Sequence, residues 1–554
     1  MTLGFKSVRN MNKKMKYIFI FFIISYITVN ANTQIDKAVN SQILFEKQKE
    51  QYQKIEENSN KKILFYDTKK PKVIDKTGEE CIKINEIKED TITLLSLEEK
   101  NKIFQVYEGT CRTLTELNNL TKELTTLYID KGYVTSQVYF EPQNMDKGIL
   151  KIIAMEGKIN EITPNEFYIN NAFLGQKGAY LNLRELETAI EAINRLPSNK
   201  ATMKLIPANQ VGQTDIQIEN KTSNRINGIV SIDNYGSEKT GKIQGNMSLN
   251  LDNPLGINDQ LSVYLNSTQK HTKKENSKGN SFVYSFPIGN RLLNTISYKK
   301  SSYKQFIKVG ITDYETKGNT DTATLNMKYK IFHNQQNRLN IGATVSRYDT
   351  KNYIVGSLIE TSSYSLSNKS LNFDYIYQTP GFYTWFDISY IKGTNWFGTH
   401  NPTDLDEKFS LYTIDLSVMK QFFGLQYSLN GHYLHSRVPL FGNNQISIGG
   451  AYSVRGYNKE GLSGNNGYYI RNELEKKLSN KLFDTFEQKY FIAYDYGYIK
   501  EEDDVLGGIL ASYSLGANYI KDKFSMQLYY AVPIRKNDVS QTNKFFGITM
   551  GYRF

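Results

Sequence analysis

The 554-residue sequence predicts a β-rich chain: a 16-stranded antiparallel transmembrane β-barrel, preceded by two small α/β domains and an N-terminal helix. Three observations lead there. The chain opens on an export signal and has no later apolar run long enough for a transmembrane helix. It holds 40 Tyr and 29 Phe, the richness expected of barrels with aromatic girdles. From 222 to 554, segments of roughly ten residues alternate apolar and polar side chains between turn residues.

The N-terminal stretch MTLGFKSVRNMNKKMK is basic, YIFIFFIISYITV is apolar, and Val29-Asn30-Ala31 provides a small-residue exit. These are the parts of a signal peptide over 1–31, cleaved after Ala31, with Met11 and Met15 as alternative starts. Residues 35–57 lack Gly and Pro and predict a helix. It is polar on most faces, which argues against burial in an apolar core. A polar linker follows over 58–71.

Residues 72–156 and 157–220 repeat one order: strand, helix, strand, strand. The first unit has a strand near CIKINEIKE and a helix after Thr113, with Thr113 and Glu116 as a capping box. Leu117, Leu120, Leu124 and Leu127 line one helix face, and Lys131-Gly132 stops the helix. VTSQVYF and GILKIIAME are its closing strands. The second unit runs from a strand near GKINEITPNEFYI to the helix NLRELETAIEAINRLP, then the strands ATMKLI and TDIQIEN. Leu183, Leu186, Ile190 and Ile193 share that helix's apolar face.

The barrel begins near 222. Gly245, Met247, Leu249 and Leu251 alternate with Asn246, Ser248 and Asn250. In the last strand Phe546, Ile548, Met550, Tyr552 and Phe554 alternate with Gly547, Thr549, Gly551 and Arg553. The apolar face suits lipid and the small or polar face a wet lumen. Closure removes the sheet edges that hydrocarbon does not tolerate. A soluble β-sandwich would not need so many strands with polar inner faces. In YFIAYDYGY, residues Tyr490, Ile492, Tyr494, Tyr496 and Tyr498 fall on the lipid face, so Asp495 and Gly497 face inward. An inward carboxylate needs a cation or water.

The formal charge of +12 comes from scattered lysines, without zinc-finger or basic-aromatic motifs, so no nucleic-acid partner is expected. No catalytic constellation, phosphate loop, metal site or cofactor is expected either. His271, His333 and His400 lie in loop-like segments, and His432 and His435 point to opposite strand faces. DNPLGIND, 252–259, reads as a hairpin turn, because its spacing does not suit calcium. Cys81 and Cys111 are the only cysteines. In an oxidising compartment the pair is expected to be bridged, worth roughly 3–4 kcal/mol to the first unit, with two separate buried thiols as the alternative.

The chain resembles the outer-membrane transporters of two-partner secretion, the haemolysin-activator and filamentous-haemagglutinin-transporter family (ShlB/FhaC/HecB). CRTLTELNNLTKELTTLYIDKGYVTSQVYF, with Gly132 and Tyr133, is similar to the first polypeptide-transport-associated (POTRA) domain of that family. NLRELETAIEAINRLPSNKATMKLIP is similar to the second, and SIDNYGSEKTGKIQGNMSLNLDNPLGINDQLSV to the first barrel hairpins. IGGAYSVRGY, 448–457, resembles the tip of a family loop between the eleventh and twelfth strands that folds into the lumen. FIAYDYGY resembles a motif on the thirteenth strand, and the loop continues into GNNGYYIRNEL, 464–474.

The resemblance implies an inward loop over 437–467 that places Arg455, Gly456 and Tyr457 against the wall at Asp495 and Gly497. Exchanging the two charges is then expected to recover part of the activity that either single change removes. The resemblance also implies that the helix at 35–57 plugs the pore and that Phe554 is the C-terminal aromatic used in barrel insertion. It implies an outer-membrane location in contact with lipid, with the POTRA domains in the periplasm, and no enzymatic activity. The implied partners are a secreted exoprotein, haemolysin-like or adhesin-like, and the barrel assembly machinery, with the transporter a monomer. Two other functions fit a barrel. A BamA-like assembly factor shares the VRGY loop but generally has more POTRA units and no plug, and a solute channel needs no POTRA pair.

Overall fold

The computed structural model describes residues 41–58, 80–269, 274–309, 311–457, 461–478, 486–502, 505–535 and 544–554. The expected signal peptide, residues 35–40, linker residues 59–71 and His271 lie outside them.

In the first small domain, strands Cys81–Ile84 and Thr110–Thr113 pair antiparallel. Cys81 and Cys111 are bonded across that pair with Cα atoms 5.4 Å apart. The stretch CIKINEIKE therefore forms two strands: Glu86–Glu89 leaves the first ladder and pairs parallel with Ile149–Met155. VTSQVYF contributes only Gln137–Tyr139. Helix Leu114–Asp130 has the expected Thr113–Glu116 capping box and buries Leu117, Leu120 and Leu124. Periodicity does not reveal the helix Leu97–Tyr107, whose clear signal is its own capping box, Ser96 with Glu99.

The second domain has the sheet order Lys158–Thr163, Gln213–Asn220, Ala201–Pro207, with helix Leu183–Asn194 packed on it. Phe167 to Ile169 are helical rather than extended, because Pro164 fixes φ, lacks an N–H and ends the strand. Gly132 and Tyr133 sit near the joint between the domains. Gly132 has φ +96° and its carbonyl accepts the Leu183 N–H at 2.8 Å. A Cβ on Gly132 would meet Asn182 Oδ1 at 2.5 Å, so the close approach requires glycine. The Tyr133 ring packs edge-on against Tyr128.

Sixteen strands close the barrel from Ile226–Asp233 to Phe545–Arg553; the two-residue strand Ser357–Leu358 only extends the loop between Asn337–Ile354 and Tyr364–Thr379, which pair directly. Strand length runs from 8 residues to 22 in Thr312–His333, well past the ten expected. The reason is that hydrogen-bonded hairpins continue into polar sequence such as TDYETKGNTDT, where hydrophobic periodicity fades. The turn at 252–259 is a hairpin turn, as read. His333 ends a strand and is buried, contrary to the loop reading.

The second domain is fastened to hairpin turns at one end of the barrel. Ser198 N–H donates to Asp252 Oδ2 at 2.9 Å, and Arg195 donates to the Asn258 carbonyl at 2.6 Å. Glu191 is buried between Lys330 at 2.7 Å, Arg338 at 3.5 Å and His333 at 3.9 Å. Burial alone would raise the Glu191 pKa, but the cations Lys330 and Arg338 outweigh it and hold it down at about 2. A depressed carboxylate stabilises the contact above its ordinary pKa and loses that contribution as pH falls from 4.5 through about 2. Protease sensitivity of this joint is therefore expected to rise over that window in the wild type and to rise less in Glu191→Gln.

Candidate functional site

The loop between the eleventh strand, Leu425–Ser436, and the twelfth, Asn466–Lys477, turns into the barrel. It carries a small hairpin, Ile446–Ile448 with Leu462–Gly464. Ile446, Ile448, Val454, Tyr457 and Leu462 pack with wall residues such as Leu434, Tyr469, Ile499 and Leu510. The lumen here is apolar and filled, a correction to the wet interior expected from alternation. Small and polar residues dominate many inward positions, but the loop supplies an apolar partner where they do not.

Arg455 is 2% exposed and Asp495 0%. The guanidinium binds the carboxylate through two parallel bonds, Nε to Oδ2 at 2.7 Å and Nη2 to Oδ1 at 2.9 Å. The Arg455 backbone N–H also donates to Oδ2 at 3.1 Å. Nη1 reaches Glu473 Oε2 at 3.0 Å, and the guanidinium carbon lies 5.7 Å from the rings of Phe491 and Tyr529. A forked donor set with two anions and two aromatic faces compensates the loss of water. Such a buried pair specifies one geometry more than it adds stability.

The neighbouring residues explain how the loop reaches the wall. Gly456 has φ +95°, and a Cβ there would lie 3.1 Å from the Pro533 ring. A Cβ on Gly497 would meet Val454 at 3.0 Å and Ile448 at 3.1 Å, so glycine on the wall makes room for the loop. Tyr457 Oη lies 2.8 Å from the Ala511 carbonyl and 2.7 Å from that of Arg535. Glu473, Phe491 and Tyr529 are partners that the sequence did not single out. Arg471, which faces Asp495 in register, donates instead to the Ala451 carbonyl at 3.0 Å.

Residues 41–58 form a helix inside the barrel. Its contacts reach opposite walls: Lys49 to Asn246 at 2.8 Å, and Lys54 to Asp387 at 3.1 Å and Asp415 at 2.7 Å. Gln48 donates to the Ser447 carbonyl at 3.0 Å and to Ser453 of the inward loop at 2.6 Å. The helix is not uniformly polar at these contacts. Ile55 packs with Ile376, Tyr383 and Trp385, while Phe45 and Tyr52 each stand 5.8 Å from the Tyr452 ring. A helix with side chains is about 10–12 Å across, so it occludes much of the lumen. Removing 35–57 is expected to enlarge single-channel conductance in a planar bilayer, and an unchanged conductance would deny the helix this role.

A family model described as haemolysin secretion/activation protein ShlB/FhaC/HecB matches residues 212–519. A ShlB-type POTRA domain matches 82–157, and a further POTRA domain matches 151–207. The chain is 30% identical over 405 residues to the outer membrane transporter CdiB of Dickeya dadantii (strain 3937), spanning 71% of this chain and 72% of that one. It is 28% identical over 411 residues to the hemolysin transporter protein ShlB of Serratia marcescens, spanning 72% and 73%. In fold it is similar to the solved structure of CdiB from Escherichia coli, with a TM-score of 0.85 at 22% identity over 93% of this chain and 98% of that one. The closed barrel and the two POTRA domains agree with the family match, and the chain belongs to the ShlB/FhaC/HecB family of outer-membrane two-partner secretion transporters.

Proposed function

We propose that this transporter captures one large unfolded exoprotein, haemolysin-like or adhesin-like, on a POTRA sheet edge and passes it through the barrel as an extended chain. One observation carries the reading. A cavity of about 590 Å³ runs from the edge strand of the second POTRA domain, at Lys200, Ala201 and Thr202, to the wall at Asn340 and Ile376 and to Asn58 at the end of the plug helix. Among the described residues, Ala201–Pro207 pairs on one side only, with Gln213–Asn220. An open edge binds an incoming strand through main-chain hydrogen bonds that tolerate many sequences. The strand so bound lies beside the mouth of the pore.

Export needs no nucleotide in this scheme. Folding of the partner outside removes the unfolded form from the exit side and pulls the equilibrium outward. The chain itself is delivered by a signal peptide over 1–31, inserted by the barrel assembly machinery, and works as a monomer. A photo-crosslinking residue at Thr202 or Lys204 is expected to trap the N-terminal region of the co-expressed partner. The same probe at Lys122, on the helix of the first POTRA domain, is expected to trap much less. Equal crosslinking at all three positions would remove edge capture from the mechanism.

A further inference from the structure

Three aspartates form an arc on the lumen wall that the inward loop does not use. Asp374 stands opposite Asp387, and Asp387 opposite Asp415, on successive strands, with His432 opposite Asp415. Their exposures are 2%, 1% and 1%. Like charges directly across a sheet are destabilising, so the arrangement requires compensation. Asp374 is matched within the wall by Lys328 and Asn340. Asp387 receives Asn372 Nδ2 at 2.8 Å and Ser389 Oγ at 2.7 Å, both neutral. Asp415 lies 2.7 Å from His432 Nδ1. Among the described residues, the lysine shared by Asp387 and Asp415 comes from outside the wall: Lys54 of the plug helix.

A second observation points to a ligand at the same place. Trp385 and Ser417 stand opposite each other, two residues before Asp387 and two after Asp415, and so share their face. Lys54 Nζ lies 5.8 Å from the Trp385 ring centroid. Ser417 Oγ, on a side chain 0% exposed, has no hydrogen-bond partner among the described residues and can accept from a cation; Trp385, 1% exposed, offers its ring face, since its unpartnered Nε1–H can only donate. Two carboxylates, an aromatic face and an unspent hydroxyl oxygen are the groups that bind an ammonium or guanidinium.

We propose that Asp387 and Asp415, with Trp385 and Ser417, bind lysine and arginine side chains of the exported polypeptide, and that Lys54 occupies this site while the pore is plugged. The inference rests on the export reading above. When the helix leaves, the two carboxylates remain adjacent and lose their shared cation, which is costly in a confined wall. A basic side chain on the passing chain replaces it. The incoming chain therefore competes with Lys54 and itself shifts the plug toward release, because a ligand favours the state it binds better.

The test uses the full-length Lys54→Gln protein in planar bilayers, which keeps the helix, including the Gln51 contact to Asp415, and removes the cation the aspartates share. It is expected to open more often than the wild type. Oligolysine, a neutral Gly/Ser peptide and oligoglutamate of equal length are added from the periplasmic side. Oligolysine is expected to block the open pore at least about tenfold longer than the neutral peptide, and Asp387→Asn with Asp415→Asn should abolish most of that difference. Equal block by oligolysine and the neutral peptide overturns the proposal, as does a lysine block indifferent to both asparagines. Block by calcium with no preference for oligolysine also overturns it, in favour of a metal site. If the asparagine variant fails to give a heat-modifiable barrel, the three peptides on Lys54→Gln alone decide. Export of the partner by the wild type is followed in parallel. Lysine-selective block without export keeps the cation site but sinks the export reading and the cargo role with it, and export without lysine-selective block sinks this site only.

Discussion

Arg455→Ala is expected to abolish most secretion while leaving the barrel inserted. Removing one partner of a buried ion pair typically costs about 3–5 kcal/mol, because the remaining charge stays desolvated. Here Asp495, 0% exposed in the wild type, would keep only the backbone N–H of residue 455 from its contacts to that residue. An energy of that size exceeds a hundredfold in the balance between docked and undocked loop, at about 1.4 kcal/mol per tenfold. Asp495→Ala should act in the same direction. Arg455→Lys keeps the charge but loses the parallel pair of bonds and the planar contact with Phe491 and Tyr529, so an intermediate loss is expected.

The detailed contacts revise what a charge exchange should do. Asp at 455 would face Glu473, which now binds Arg455 Nη1 at 3.0 Å. Arg at 495 would confront the backbone N–H that Asp495 now accepts. The double exchange is therefore expected to stay as defective as either single change, contrary to simple pairing of two charges. Secreted partner is measured at equal barrel amount, and loop docking is read by crosslinking from Val454 to the wall. Near-normal secretion by Arg455→Ala would mean that the loop's apolar contacts alone hold it.

Different parts of the chain were legible for different reasons. Alternation exposed the barrel because a strand with lipid on one face shows its period directly, and Asp495 could be placed inward by counting from Tyr494. Helix faces and capping residues exposed Leu114–Asp130 and Leu183–Asn194. Contacts between distant segments were not legible. Nothing local in Glu191 marks it as the centre of a joint to Lys330 and Arg338, since an exposed helix carries glutamates too. Asp374, Asp387 and Asp415 are scattered along 42 residues of sequence, and only register brings them into line. The resemblance to a family located the loop motif and its wall motif, whereas the apolar bed beneath the loop emerges only from packing.

Deleting Phe554 is expected to lower the amount of heat-modifiable barrel in the outer membrane severely, and the closing seam gives the reason. The ladder of the last strand with the first covers five pairs, Thr549 to Arg553 against Asp233 to Ile229, and Asn234 extends it by bonding the backbone of Ile548. By comparison the first and second strands share eight pairs. Phe554 adds one further rung: its N–H donates to the Gly228 carbonyl at 3.0 Å, and Gly228 N–H donates back at 3.3 Å. Its ring occupies the space beside Gly228, where an added Cβ would lie 2.6 Å from the ring. Deletion exposes two backbone groups at a sheet edge that hydrocarbon does not satisfy, a cost of several kcal/mol. The C-terminal aromatic also serves as a recognition signal in the insertion reading, and two variants separate the roles. Gly228→Val keeps the C-terminal phenylalanine but clashes with its ring and with the Ser248 carbonyl, 2.4 Å from the added Cβ. Phe554→Ala keeps the backbone rung and loses the aromatic. Seam closure predicts a strong defect in Gly228→Val and a mild one in Phe554→Ala, measured as the folded band after outer-membrane fractionation. The opposite order would assign Phe554 to recognition and leave the seam dependent on the five remaining pairs.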